Sequence, residues 1–180
     1  MNRNKTLDIT YVALGAVLIT VCSWLSIPMA VPFTMQTFAV FAVCGILGGR
    51  RGTIAVLIYI LMGFVGIPVF SGFRGGADAL LGLTGGYIIG FVFTALIIWG
   101  AEKLFGSSLV PTVISMLVGL AACYAAGTFW FIRVYNSRTG EIGVAAVLGM
   151  CVIPFIIPDL VKMALAILIS RRVRPMVEKI

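Results

Sequence analysis

The chain has 180 residues, of which 61% are hydrophobic and 11% charged, and it carries a net charge of +7. Soluble domains contain about 25% charged residues, and a soluble fold of this size could not hide so much apolar surface from water. The composition therefore excludes an ordinary soluble protein and predicts an integral membrane protein. With no convincing internal repeat, residues 1–180 are expected to form a single transmembrane domain.

Six apolar segments predict membrane-spanning helices, because a helix needs about 20 apolar residues to cross the hydrocarbon core. The predicted spans are Leu7–Ser26, Thr34–Gly48, Thr53–Ile67, Thr84–Leu104, Leu109–Phe131 and Ile157–Ser170. The first is too long for a signal-peptide core and is expected to be retained. A further apolar segment, Ile142–Ile153, is either the approach to the sixth span or a short helix in the membrane interface. The predicted fold class is an all-α membrane protein.

The basic residues indicate the orientation of these helices. With a cytoplasmic N-terminus, nine basic residues lie inside, namely Arg3, Lys5, Arg50, Arg51, Lys103, Arg171, Arg172, Arg174 and Lys179. Four lie toward the outer side: Arg74, Arg133, Arg138 and Lys162. This bias predicts that both termini are cytoplasmic. Membrane lipids are the expected partners of this charge, and nucleic acid is not. The turn Gly49-Arg50-Arg51-Gly52 is either a topology anchor or a site for anionic lipid headgroups.

Several kinds of chemistry lack their motifs in this sequence. There is no histidine, and the four cysteines (Cys22, Cys44, Cys123 and Cys151) form no CxxC pair, so no zinc or other metal site is expected. No P-loop, HExxH or GxSxG motif occurs. The chain is therefore not expected to be an enzyme, to contain catalytic residues, or to bind a cofactor.

Asp159 and Lys162 interrupt the apolar run from Val152 to Ser170. Each such charge costs roughly 2.5–3.5 kcal/mol at the centre of a membrane helix, so it usually has a function or a partner. Their i, i+3 spacing places them on one helical face, and Pro158 predicts that the helix begins just before them. The pair either serves a binding site or neutralises itself while joining two helices.

Two further patterns each allow two interpretations. Glycines and aromatic residues are concentrated in the predicted outer loops, and the aromatic residues include Phe33, Phe70, Phe73 and Tyr87. This concentration predicts either a ligand pocket or helix packing with an interfacial aromatic belt. Small residues on the first helix allow close helix approach, either within the chain or to a partner subunit. They are Ala13, Gly15 and Ala16, with Thr20 one turn beyond.

Six stretches, taken in order, resemble the BioY family, the biotin-specific substrate-capture (S) components of energy-coupling-factor (ECF) transporters. They are Ile27-Pro28 with 31–37 (VPFTMQT), 47–52 (LGGRRG), 66–70 (GIPVF), 84–91 (TGGYIIGF), 127–130 (GTFW) and 158–162 (PDLVK). Each motif alone is weak, but together they cover nearly the whole chain.

The resemblance implies six transmembrane helices with both termini inside, in the ECF S-component fold, in the cell membrane of a prokaryote. It implies one biotin held near the outer face and delivered inward when the chain docks on a transmembrane coupling subunit driven by two ATPases. Alternative hypotheses are an S component for a different vitamin, a membrane enzyme acting on a lipid or isoprenoid, and a structural subunit.

The resemblance also supplies a ligand for the candidate residues. Asp159 is expected to accept hydrogen bonds from the ureido N–H groups of biotin. Either Lys162 or Arg74 is expected to meet the carboxylate. Thr34, Gln36 and Tyr87 are candidates for neutral hydrogen bonds, Phe33, Phe70 and Trp130 for the walls, and Gly86 for close backbone approach. Ala13, Gly15, Ala16 and Thr20 are the expected docking face.

Overall fold

The computed structural model describes residues 3–29 and 31–178 of the chain. This part of the chain forms eight α-helices and one pair of short antiparallel strands. In chain order the elements are α1 (Arg3–Trp24), β1 (Ser26–Ile27), β2 (Phe33–Thr34), α2 (Gln36–Leu47), α3 (Gly49–Phe64), α4 (Ala77–Leu80), α5 (Gly85–Phe105), α6 (Leu109–Arg138), α7 (Val144–Cys151) and α8 (Ile153–Glu178). Ser26 pairs with Thr34, and Ile27 pairs with Phe33.

The six predicted spans coincide with α1, α2, α3, α5, α6 and α8. Four of these helices are long and apolar enough to cross a membrane, and α2 is a shorter apolar helix. The apolar segment before the sixth span is the separate short helix α7. The β1–β2 pair is a small addition to the otherwise helical fold, and through it the loop after α1 satisfies part of its backbone hydrogen bonding.

The start of the last helix also differs from the prediction. α8 begins at Ile153, so Pro158 lies inside the helix rather than at its first turn. Pro154 occupies the first turn instead, where a missing backbone N–H costs no helical hydrogen bond. Asp159 and Lys162 therefore follow a full helical turn and face the interior of the bundle, where both are buried.

Glycines permit a close contact between α5 and α6. A Cβ added to Gly86 would meet Trp130 of α6, and one added to Gly127 would meet the ring of Tyr87. Gly90 lies in the same way against Cys123. Inside a membrane there is little hydrophobic driving force between helices, so such close van der Waals contact supplies much of the packing energy.

The small residues of α1 pack mainly within the chain in this conformation, which favours internal helix packing, the first of their two interpretations. Gly15 lies against α2 and α3, since a Cβ there would meet Val43 and Ala55 at 3.0 and 3.1 Å. Ala16 and Thr20 are buried, and Thr20 hydrogen-bonds to the Ala16 carbonyl at 2.9 Å. In this conformation only Ala13 of the four is exposed.

The close α5–α6 contact predicts that Gly86→Ala lowers stability. The added methyl group has to displace Trp130 and the backbone of α6, and overpacking of this kind typically costs about 1–3 kcal/mol. Gly100→Ala, on the same helix with open space around it, is the matched control. Thermal unfolding in detergent should show a lower midpoint for Gly86→Ala alone. Equal unfolding midpoints for the two variants would contradict the inference that Gly86 is required for close packing of α5 on α6.

Candidate functional site

The candidate site is built around an ion pair on α8. Lys162 Nζ lies 2.8 Å from Asp159 Oδ1, and the two residues are only 4% and 3% exposed. The hydroxyl of Tyr124, on α6, donates to the other carboxylate oxygen, Asp159 Oδ2, at 2.6 Å. Both oxygens of the carboxylate therefore have a donor.

The ammonium group of Lys162 is also held by more than its carboxylate partner. Nζ donates to the backbone carbonyl of Thr34 in β2 at 2.7 Å and lies 4.0 Å from the centroid of the Phe33 ring. The ring face attracts a cation, and the attraction is stronger where water is excluded. Three elements, α6, α8 and the hairpin strand β2, are thereby joined through one pair of charges.

A cavity of about 80 Å³ lies beside this ion pair, between the hairpin and the ends of the long helices. By the same measure one water molecule needs roughly 10–15 Å³, so the cavity has room for several water-sized groups. Apolar side chains form most of its wall, including Phe70, Ile88, Phe91, Leu120 and Phe155. An apolar wall with a few convergent polar groups is the usual make-up of a small-molecule site.

One side of the cavity is covered by residues 65–76, which we call the cover loop. The loop closes on itself where Phe70 N–H donates to the Arg74 carbonyl at 2.9 Å. The end of α1 holds it in place, because Ser23 Oγ donates to the Val69 carbonyl and Trp24 Nε1 donates to the Pro68 carbonyl at 2.9 Å. Phe73, with a φ of 56°, stacks on Trp24 at 5.1 Å between ring centroids.

Seven of the ten residues predicted to contact a ligand line this cavity. They are Thr34, Gln36, Phe70, Arg74, Tyr87, Asp159 and Lys162. They come from α2, α5, α8, the hairpin and the cover loop, which are far apart in the sequence.

The other three lie outside the cavity lining. Gly86 packs against Trp130, whose indole Nε1 donates to the Gly82 carbonyl at 2.9 Å. This pair thus serves the α5–α6 contact and the turn before α5, and neither residue lines the cavity in this structure. Phe33 stacks on Phe155 at 6.1 Å and supports Lys162, so it stands one layer behind the cavity.

The structure adds polar residues to the site that the sequence analysis did not select. Tyr124 holds Asp159, and Tyr59 accepts a hydrogen bond from Gln36 Nε2 at 2.9 Å while being fully buried. The sequence could have indicated both tyrosines as site candidates, because a tyrosine inside an apolar span needs a partner for its hydroxyl group. Which partner it finds depends on helix packing.

The charges that line the cavity favour an anionic ligand. Asp159 and Lys162 neutralise each other, whereas Arg74 forms no ion pair with any described residue. Its side chain is exposed, and Nε donates to the Ser71 carbonyl at 3.3 Å. The lining therefore carries one net positive charge, beside a neutral pair with hydrogen-bonding groups. In the described part of the chain no cluster of three or more metal-ligating side chains occurs.

Comparison with known proteins places this chain in a family. The model of the BioY family matches residues 1–179. The chain belongs to the BioY family. A protein named biotin transporter BioY from Thermotoga maritima is 42% identical over 159 residues, which is 87% of this chain and 89% of that protein. A probable biotin transporter BioY from Pyrococcus horikoshii is 37% identical over 94% of this chain and 98% of its own length.

A solved structure resembles the fold closely. It is described as the S-component for biotin from an ECF-type ABC transporter, and it matches with a TM-score of 0.83 and 29% identity. The match covers 97% of this chain and 94% of the other. This family member is accordingly a multi-pass membrane transport protein with an ECF S-component fold, and it is not an enzyme.

The Tyr124–Asp159 hydrogen bond predicts that Tyr124→Phe is destabilising. The change leaves one oxygen of a buried carboxylate without a donor, and loss of a hydrogen bond to a charged group costs about 1.5–3 kcal/mol. Tyr135→Phe, on the same helix, is the control, because that hydroxyl makes no hydrogen bond in the described residues. Unfolding midpoints in detergent should fall for Tyr124→Phe only. An unchanged midpoint would show that the hydroxyl does not support Asp159.

Proposed function

We propose that this chain is the biotin-binding S component of an ECF-type transporter, with residues 1–180 acting as one transmembrane substrate-binding domain. The observation that carries the proposal is the fold match to a biotin S-component over 97% of the chain. The cavity at one end of the helix bundle agrees with it, since its residues have the chemistry that biotin requires.

The ureido head of biotin carries two N–H donors and one carbonyl acceptor. Asp159 is a fixed acceptor at the cavity wall, with its orientation set by Tyr124 and Lys162. A charged acceptor makes stronger hydrogen bonds than a neutral one, and this one needs no reorganisation when the ligand arrives. Gln36 and Thr34, beside the pair, are suited to the remaining polar atoms. The thiophane ring and valerate chain are apolar and suit the walls formed by Phe70 and Phe91.

For the carboxylate of biotin we propose Arg74 rather than Lys162. Lys162 is buried and already donates to Asp159 and to the Thr34 carbonyl. Arg74 is exposed at the cavity margin, and a guanidinium can hold a carboxylate through two parallel hydrogen bonds. A ligand with one negative charge would then neutralise the single net charge of the lining.

The cover loop is the proposed route of entry. Backbone hydrogen bonds and the Trp24–Phe73 stack hold it, whereas the walls beneath are packed helices. Loops of this kind belong to the less stable parts of a fold and open at low free-energy cost. Biotin would enter when the loop moves away, and Arg74, which lies within the loop, would close over the carboxylate.

We propose that both termini are cytoplasmic, that six helices cross the membrane and that the cavity faces outward. In the part of the chain that the structure describes, most basic residues lie at the opposite end from the cavity, as the positive-inside rule requires of the cytoplasmic side. The partners would be a transmembrane coupling subunit and two ATPases, since the chain has no P-loop of its own. Of the small residues of α1, Ala13 is exposed and available to such a partner.

Titration with biotin tests the proposal. Isothermal calorimetry of the detergent-purified chain should show one tight site. Asp159→Ala should weaken binding roughly 30-fold to several thousand-fold, because truncating one member of a buried charge pair costs about 2–5 kcal/mol. Asp78→Ala, an exposed carboxylate on α4, is the control and should bind like the wild type. A folded, biotin-free wild type that binds nothing would refute the function, and competition by other vitamins would identify a different ligand.

The role of Arg74 can be separated from that of Lys162 with a modified ligand. Arg74→Gln should weaken binding of biotin about 10- to 100-fold, the effect of losing hydrogen bonds to a charged group. Biotin methyl ester, which lacks the charge, should bind the wild type and Arg74→Gln equally. If Arg74→Gln weakened binding of the ester as much as binding of biotin, the guanidinium would not be the partner of the carboxylate.

A further inference from the structure

A second groove lies at the end of the bundle opposite the cavity, between α1, α3 and α5. Its volume is about 710 Å³. We call it the basic groove. Its charged lining residues are Asp8, Arg50, Arg51, Glu102, Lys103 and Arg174. Nothing in the transport mechanism above uses these side chains.

Ion pairs within the chain neutralise part of this charge. Asp8 pairs with Arg51, whose guanidinium also lies 5.8 Å from the centroid of the Tyr11 ring. Glu102 pairs with Arg174 and accepts a hydrogen bond from the backbone N–H of Gly49. Both acidic groups of the groove are therefore committed to partners within the protein.

Two cations remain for an external anion. Arg50 and Lys103 are exposed, and neither forms an ion pair with any described residue. Packing brings their helices together, because the start of α3 lies directly on α5, where a Cβ at Gly49 would meet the backbone of Trp99. Trp99 is one helical turn from Lys103 and lines the same groove.

Below these cations the groove is apolar and open to the surroundings. Its wall includes Ile9 and Ile54, which are 61% and 39% exposed, and Trp99, which is 37% exposed. Tryptophan favours the boundary between headgroups and acyl chains, because its ring is apolar and its N–H is polar. Cationic groups above an apolar wall match the two parts of a phospholipid.

We propose that the basic groove is a binding site for an anionic phospholipid. Arg50 and Lys103 bind the headgroup phosphate, Trp99 lies at the level of the ester groups, and the acyl chains run along the exposed faces of α1 and α3. The site is separate from the biotin cavity and does not depend on the proposed transport function.

Lipid titration followed by native mass spectrometry tests this site. Phosphatidylglycerol should bind the detergent-purified chain more tightly than phosphatidylcholine. Arg50→Gln and Lys103→Gln should each reduce phosphatidylglycerol binding about five-fold or more, since one basic residue near an anionic lipid contributes about 1 kcal/mol, and 1.4 kcal/mol corresponds to ten-fold. The control is Arg172→Gln, which removes an exposed cation on α8 outside the groove. An equal loss in that control would mean general charge attraction and would overturn the site.

Fluorescence locates the lipid and distinguishes it from other anions. In Trp24→Phe/Trp130→Phe, Trp99 is the one remaining tryptophan of the three in the chain. Brominated phosphatidylglycerol in a phosphatidylcholine nanodisc should quench Trp99 more than the same fraction of brominated phosphatidylcholine does. Inorganic phosphate at millimolar concentration should not relieve this quenching. Equal quenching by the two lipids would refute the proposal and leave the groove to a protein partner. Relief of the Trp99 quenching by phosphate would also refute it and would assign the groove to a soluble anion. Size-exclusion chromatography and circular dichroism in detergent check that each variant is folded, independently of biotin binding.

Discussion

A pair of opposite charges buried among membrane helices is the interaction on which the rest of the cavity depends. Asp159 and Lys162 are buried away from bulk water, so they depend on partners that the protein supplies, and losing a hydrogen bond to such a charged group costs about 1.5–3 kcal/mol. The fold does so with a hydroxyl of α6, a backbone carbonyl of the hairpin and an aromatic ring. Satisfying the charges thus fixes where three separate elements meet, and their meeting point is the cavity.

Helix packing places these partners within reach. The α5–α6 contact is close because glycines face larger side chains, as Gly127 faces Tyr87 and Gly86 faces Trp130. With α6 held in this position, the hydroxyl of Tyr124 reaches the carboxylate on α8. Residues that never touch a ligand therefore determine the geometry of those that line its cavity. Gly86 and Trp130, two predicted ligand contacts, are examples of residues that pack the helices behind the cavity lining.

The two ends of the bundle differ in chemistry and in the regularity of their backbone. At the cavity end, irregular backbone in the hairpin and the cover loop surrounds a largely neutral site, which is where such backbone is tolerated at membrane depth. At the opposite end, ion pairs and a backbone hydrogen bond to Glu102 join α3, α5 and α8. The cavity and the ion-paired end are thus built from separate parts of the same helices. α1 extends between them, since its last residues hold the cover loop.

Composition and hydropathy determined from the sequence that this is a helical membrane protein. Each of the six predicted apolar segments overlaps a helix of the structure, because an apolar segment in a membrane must satisfy its own backbone hydrogen bonds. The motifs identified the family, and the spacing of Asp159 and Lys162 marked the site. Only the tertiary structure decided that Tyr124 holds the carboxylate, that Gly15, Ala16 and Thr20 face inward, and that α8 begins before Pro158. Local pattern specifies which residues share a helical face, but the neighbour that the face meets is set by packing between segments distant in sequence.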